Sequence, residues 1–176
     1  MKGLSLKDAL FLGFCAVLII AARAALRLHL KIPGHSMLFT LFFILLARGC
    51  VRNHLAASFT ALLSGIMALL LGMGKGGPLI LIKYLLPAMA VDVAAFILAD
   101  RLFQSMLLCG LTAMLAAATR FLSDAAMDLL AGMEFTVMIR HATLQTASNM
   151  VFGGIGALGV PAVLRKLRAF GAIEPY

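Results

Sequence analysis

Charge is scarce in this sequence. Only 12% of its 176 residues are Asp, Glu, Lys or Arg, against about 25% in a typical soluble domain, and 7 acids face 15 Lys and Arg. Tryptophan is absent, and tyrosine occurs twice. With Tyr84 and Tyr176 the only tyrosines, the sequence argues against an aromatic cage for a quaternary ammonium. The cysteines, Cys15, Cys50 and Cys109, lie in or beside three different apolar stretches, with no CxxC or CxxxH spacing. They read as small buried hydrophobes rather than a disulfide or metal framework. Catalytic signatures are missing too: the chain has no H-E-x-x-H, no G-x-S-x-G and no P-loop. His29, His35, His54 and His141 have no carboxylates close by in sequence, so spacing makes no metal site. Asp124 and Asp128 are four apart and share a helix face, but no histidine or further acid flanks them at helical spacing, so they read as a solvated outer face. The expectation is a non-enzyme without cofactor or metal.

What is present is apolar surface. Hydrophobic residues make up 63% of the chain, and the mean hydropathy is +1.07. A soluble fold has no way to cover that much apolar surface, so the implied solvent is lipid. A spanning helix takes about 20 apolar residues, and the length accommodates about six spans with short loops. The chain therefore reads as an all-α integral membrane protein, a single transmembrane domain over residues 1–176, multi-pass in the inner (cytoplasmic) membrane. The expected spans are residues 7–30, 35–49, 55–72, 79–99, 102–122 and 141–164. Residues 123–140 form the longest connection, apolar enough to be a short helix at the interface or a plug over a cavity. Lys2 and Lys7 ahead of an uncharged run and AARAA have the outline of a secretory signal. Asp8 weakens that outline, and the better reading is a retained first span.

The formal net charge of +8 and pI of 10.0 raise nucleic acid as a partner. No basic stripe interleaved with aromatics supports it, so no nucleic-acid partner is expected. Most positives sit at segment ends, where topology rules place them. With the N-terminus inside, the cytoplasmic ends hold Lys2, Lys7, Arg48, Arg52, Arg101, Arg165, Lys166 and Arg168, and the outer side holds Arg27, Lys31, Lys75 and Arg140. Eight against four favours both termini inside.

Residues 72–92, GMGKGGPLILIKYLLPAMAVD, carry the most unusual pattern: a glycine-rich turn opens into an apolar run that swallows Lys83, Tyr84, Pro87 and Asp92. Ionisable groups at membrane depth are costly and usually line a cavity or pathway. Lys83 and Asp92 are nine residues apart, about 180° around a helix, so each needs its own partner; Arg23 and Arg120 are the candidates for Asp92. In the last span His141, Gln145 and Asn149 recur at i, i+4, i+8, a polar stripe at the depth of Lys83 and Tyr84, with Gly153, Gly154 and Gly156 below it. The stripe can line a site or bond neighbouring backbones. In the first span, Ala21 and Ala25, with Gly13 and Val17, make one smooth side suited to close helix packing, either within the molecule or against a partner helix. Arg23 and Arg27 occupy another side, where they snorkel toward the outer surface.

In size and span layout, and in the A-x-x-x-A of residues 21–25, the chain resembles the substrate-binding membrane subunit (S component) of energy-coupling factor ABC transporters. GHSMLFTLFFILLARG and residues 72–92 are similar to stretches of uncharacterised members. The resemblance implies a six-helix S-component-like bundle that captures a vitamin or related micronutrient from outside. It also implies docking through Ala21 and Ala25 on a transmembrane coupling subunit driven by two ATPase subunits. It places substrate binding at Lys83, Tyr84, Arg120, His141, Gln145 and Asn149. The metal-binding members carry an N-terminal Met-His pair, whereas this chain begins Met1-Lys2-Gly3. The positive outer rim of Arg27, Lys31, Lys75, Lys83 and Arg140 favours an anionic nutrient. The alternatives are a stand-alone small secondary transporter or channel, and a structural or assembly membrane protein whose buried charges tie helices together.

Overall fold

The computed structural model describes residues 5–29, 34–51, 53–73 and 77–170, with backbone alone at 26–29 and 100. Lys31, Arg52 and Lys75, and the side chain of Arg27, lie outside the described set. Every described element is helical. α1 (Leu6–His29) and α2 (Ser36–Cys50) are followed by α3 (Ala56–Leu70) and α4 (Ile80–Leu98), the last entered through a 3-10 turn at Gly77–Leu79. Then come α5 (Asp100–Gln104), α6 (Met106–Ala118), α7 (Arg120–Leu130), α8 (Phe135–Leu158) and α9 (Val160–Ala169).

Four stretches are long and apolar enough to cross a membrane: Leu6–Ala25, Gly77–Leu98, Met106–Leu130 and Phe135–Ala169. α2 and α3 are apolar but have 15 residues each, about 22 Å at the helical rise. Of the six segments expected, four thus reach spanning length and two are shorter. The connection expected at 123–140 contracts to a turn between Leu130 and Phe135. Arg120, Ser123 and Asp124 recur at i, i+3, i+4, so they fall on one buried face of α7 rather than in a loop. Asp100 and Arg101 start α5 after Ala99, whose φ of 44° is the positive-φ conformation L side chains rarely adopt.

Small residues set the packing. A Cβ added at Gly34 would press on Ser148 and Asn149, one at Gly153 on Leu41 and Ala117, and one at Gly49 on Leu164 and Phe103. α2 therefore runs parallel to α8 and α9, with its start level with the middle of α8. α6 lies antiparallel to α8, where Gly110 meets Leu158 and Gly154 meets Met114. The interior between them is filled by Leu41, Ile44, Leu45, Ala113, Ala117 and Val160. The outside is apolar as well: Leu62, Ile66, Val93, Phe96, Leu111, Leu115, Val151 and Ile155 are all exposed. Cys15 and Cys109 are buried and Cys50 is half-buried, each a free thiol.

The two ends of the bundle differ in charge. Arg48, Arg101, Arg165 and Lys166 gather where α2 and α9 finish, beside the Gly49–Leu164–Phe103 contact. Lys7 lies toward the same end, since Leu12 and Cys15 of α1 pack with Ala47 and Val51. Asp128, Glu134 and Arg140 lie at the other end, around the α7–α8 turn.

Candidate functional site

One turn beyond the Leu41–Ala117–Gly153 contact, toward the α7–α8 end, the buried positions become polar. α2 places Met37 there, the α6–α7 junction places Arg120, and α8 places Asn149. Arg120 and Asn149 are 7% and 2% exposed. The Arg120 guanidinium donates to the Met37 thioether, Nη1 to Sδ 2.8 Å, and a thioether is a weak acceptor. From the other side Arg23 of α1 donates to the Tyr84 hydroxyl and lies over the Tyr84 ring, 5.3 Å from its centroid, a cation–π geometry. Tyr84 is buried. Pro87, a turn later in α4, has no N–H, so the Lys83 carbonyl lacks its usual helical donor. Arg120 is within electrostatic reach of Arg23, Tyr84 and Asp124. The result is one layer, drawn from α1, α2, α4, α7 and α8, of donors in an apolar bundle.

Lys83 borders this layer. Its Nζ pairs with Asp124 Oδ1 at 2.7 Å, joining α4 to α7, with the Asp124 side chain 3% exposed. Several buried atoms around the layer have no hydrogen-bond partner among the described residues: Arg120 Nε, Asp124 Oδ2, Thr146 Oγ1 and Asn149 Nδ2. Buried polar atoms are nearly always satisfied, so a group of orphans in one region marks a place built for something else to complete.

A second buried cluster occupies the opposite end. Asp92 of α4 accepts from the Ala57 amide at 3.2 Å, the Ser58 amide at 2.9 Å and the Ser58 hydroxyl at 2.7 Å. Arg48 Nε lies 3.4 Å from Oδ1, the oxygen that also accepts from Ala57. The carboxylate thus caps the N-terminus of α3, where free amides and the helix dipole favour an anion, and holds the end of α2 as well. This corrects the expectation that Asp92 pairs with Arg23 or Arg120, both of which belong to the other layer. Lys83 and Asp92 do face opposite ways, as their nine-residue spacing requires.

The residues expected to bind substrate separate into two groups. Tyr84, Arg120 and Asn149 belong to the polar layer, with Lys83 at its border. His141 stands apart: it is exposed and its Nδ1 contacts Asp128 Oδ2 at 2.8 Å. Gln145 is half-buried one turn above Asn149. The i, i+4, i+8 stripe drifts, because eight residues at 100° each leave His141 about 80° around from Asn149. The buried face of α8 runs instead through Met138, Ala142, Thr146, Asn149 and Gly153. Asp124, read as solvated, is buried against Lys83, because α7 turns its polar face inward. Arg23, read as snorkelling outward, turns in toward Tyr84. Lys83 was the available signal for Asp124: a lysine inside an apolar run requires an acid at its own depth.

On α1, Leu6, Leu10, Phe14 and Val17 line an open apolar groove of about 430 Å³ with Leu63 and Met67 of α3. Ala21 and Ala25 are exposed farther along α1. Compared with protein-family models, with curated proteins and with solved structures, the chain matches none.

Proposed function

We propose that the protein is the substrate-binding S component of an energy-coupling factor type ABC transporter, taking up a vitamin or related micronutrient. The observation that carries this reading is the layer of half-buried Arg23 and buried Tyr84, Arg120 and Asn149 with its orphaned donors. In this reading six helical segments cross the membrane: α1, α2, α3, α4, α6 with α7, and α8 with α9. The short α2 and α3 cross within a bundle whose other members are longer. Both termini face the cytoplasm, which the basic cluster of Arg48, Arg101, Arg165 and Lys166 supports. The polar layer then opens outward beneath the α7–α8 turn. The nutrient binds there, and the exposed Ala21/Ala25 side of α1 docks on a transmembrane coupling subunit. Two ATPase subunits supply the energy, and this chain performs no catalysis.

Two experiments test this reading. Mass spectrometry of small molecules released from the protein purified alone in detergent should find one stoichiometric compound, lost in Asn149→Leu. An empty protein that binds nothing from a nutrient panel overturns the binding role. Replacing Ala21 and Ala25 by leucine should abolish cellular uptake while leaving ligand binding intact. Equal loss of binding overturns the docking assignment. The Arg48–Asp92–Ser58 tie favours a second reading, a structural membrane protein whose buried charges hold helices together. Loss of folding rather than of binding on Lys83→Met and Asn149→Leu would support it.

A further inference from the structure

We infer that the buried layer is an oxyanion site, which fixes the substrate class of the proposed transporter as a small molecule bearing a carboxylate or phosphate group. The inference rests on the transport reading for the ligand being a solute, but its physical basis is separate. The layer and its border carry the cations Arg23, Arg120 and Lys83. Asp124 is the acid beside them, and Lys83 already holds it at 2.7 Å. Asp92, the other buried acid on α4, faces away toward Arg48 and Ser58. Among the described residues that leaves one carboxylate, within electrostatic reach of Arg120 as well as paired with Lys83, for three cations. Arginine stays protonated in proteins, and an uncompensated charge in low dielectric is strongly unfavourable.

The partners these guanidiniums do have are poor ones. Arg23 is held by a phenol oxygen and the face of its ring, and Arg120 by a thioether. Neither supplies negative charge. Arg120 Nε and Asn149 Nδ2 are both donors, both more than nine-tenths buried as residues, and both lack a partner among the described residues. A guanidinium fork matches a group with two or more oxygens, and an amide N–H adds a further donor to it. A neutral ligand would satisfy the donors but leave the charge uncompensated. An oxyanion does both, and in this the site goes beyond the loose attraction of a positive rim.

The test uses the full chain in detergent. Thermal unfolding is followed with a maleimide dye that reports the buried thiols of Cys15 and Cys109 as they emerge. The probes are matched pairs differing in the acid group: benzoate and benzamide, nicotinate and nicotinamide, pantothenate and panthenol. Inorganic phosphate and phosphatidylglycerol are tested beside them. The acids or phosphate should raise the unfolding midpoint by several degrees at millimolar concentration while their neutral counterparts do not. The rise should disappear in Arg120→Gln. Should that variant fold poorly, the near-isosteric Asn149→Asp, which places a carboxylate in the layer, should also remove it. A shift from phosphatidylglycerol alone, lost in the same variants, upholds the oxyanion site but makes a lipid headgroup its occupant and removes the solute-transport reading. Equal protection by both members of a pair, lost in Asn149→Leu, overturns the oxyanion site and leaves nutrient binding standing. No shift from any acid, phosphate or anionic lipid overturns the oxyanion site, and the released compound then judges the transport reading alone.

Discussion

Asp92 serves two neighbours at once: it caps the first turn of α3 through Ala57 and Ser58 and faces Arg48 at the end of α2. Removing it strands a buried arginine and uncaps a helix, so Asp92→Ala should cost about 3–5 kcal/mol of stability. Pairing it with Arg48→Met should recover a good part of that, because deleting both partners leaves no lone charge. Thermal or denaturant unfolding of the single and double variants checks both statements. His141 and Asp128 make a contrasting pair. The His141 side chain is 53% exposed, so His141→Ala should change stability by about 0–1 kcal/mol and leave ligand binding nearly intact. At this scale the sequence was informative about which residues are unusual and poor at saying whom they meet. Lys83, Tyr84, Arg120 and Asn149 stood out because ionisable and amide groups inside apolar runs demand partners. Asp124 did not, because a carboxylate spaced four from another looks the same whether its helix face points to water or to a lysine.

Among the elements, α8 shows how glycine decides what can approach. A Cβ at Gly156 would come to 2.2 Å of the Leu38 carbonyl oxygen, and backbone cannot rotate away as a side chain can. Gly156→Ala should therefore push α2 from α8 and cost about 1–3 kcal/mol. By the same displacement it should weaken ligand binding at Asn149, two turns away, which a binding assay on the folded variant reads. Ala99 offers the opposite case. Its φ of 44° stores strain that glycine does not feel, so Ala99→Gly should raise the unfolding midpoint by the equivalent of about 1 kcal/mol. Hydropathy made the helical nature of each segment legible. The ends of the segments were not, since α7 continues the apolar pattern of α6 through residues whose charges are satisfied only in three dimensions. The 123–140 connection was misread for that reason, and the turn that closes it spans only the residues between Leu130 and Phe135.

For the whole molecule, the arrangement separates two kinds of polar interior. At one end, with Arg48, Asp92 and Ser58, charge is matched within the described residues: the acid has an arginine and three donors, although Arg48 Nε makes an ion pair rather than a hydrogen bond. The other, with Arg23, Tyr84, Arg120 and Asn149, keeps orphaned donors and excess positive charge among the described residues. That difference could not be read from composition, which counts both ends as buried charge. The lengths of the helices add a consequence for the surrounding lipid. α2 and α3 reach about 22 Å, whereas α8 alone, with 24 residues, reaches about 36 Å. α2 is largely enclosed by its neighbours, so in the six-span reading proposed above it is α3 that meets the bilayer short, and the elastic response of the bilayer is to thin there. Under that reading the molecule carries a preference for shorter acyl chains along α3, and ligand capture in vesicles should fall as the lipid tails are lengthened.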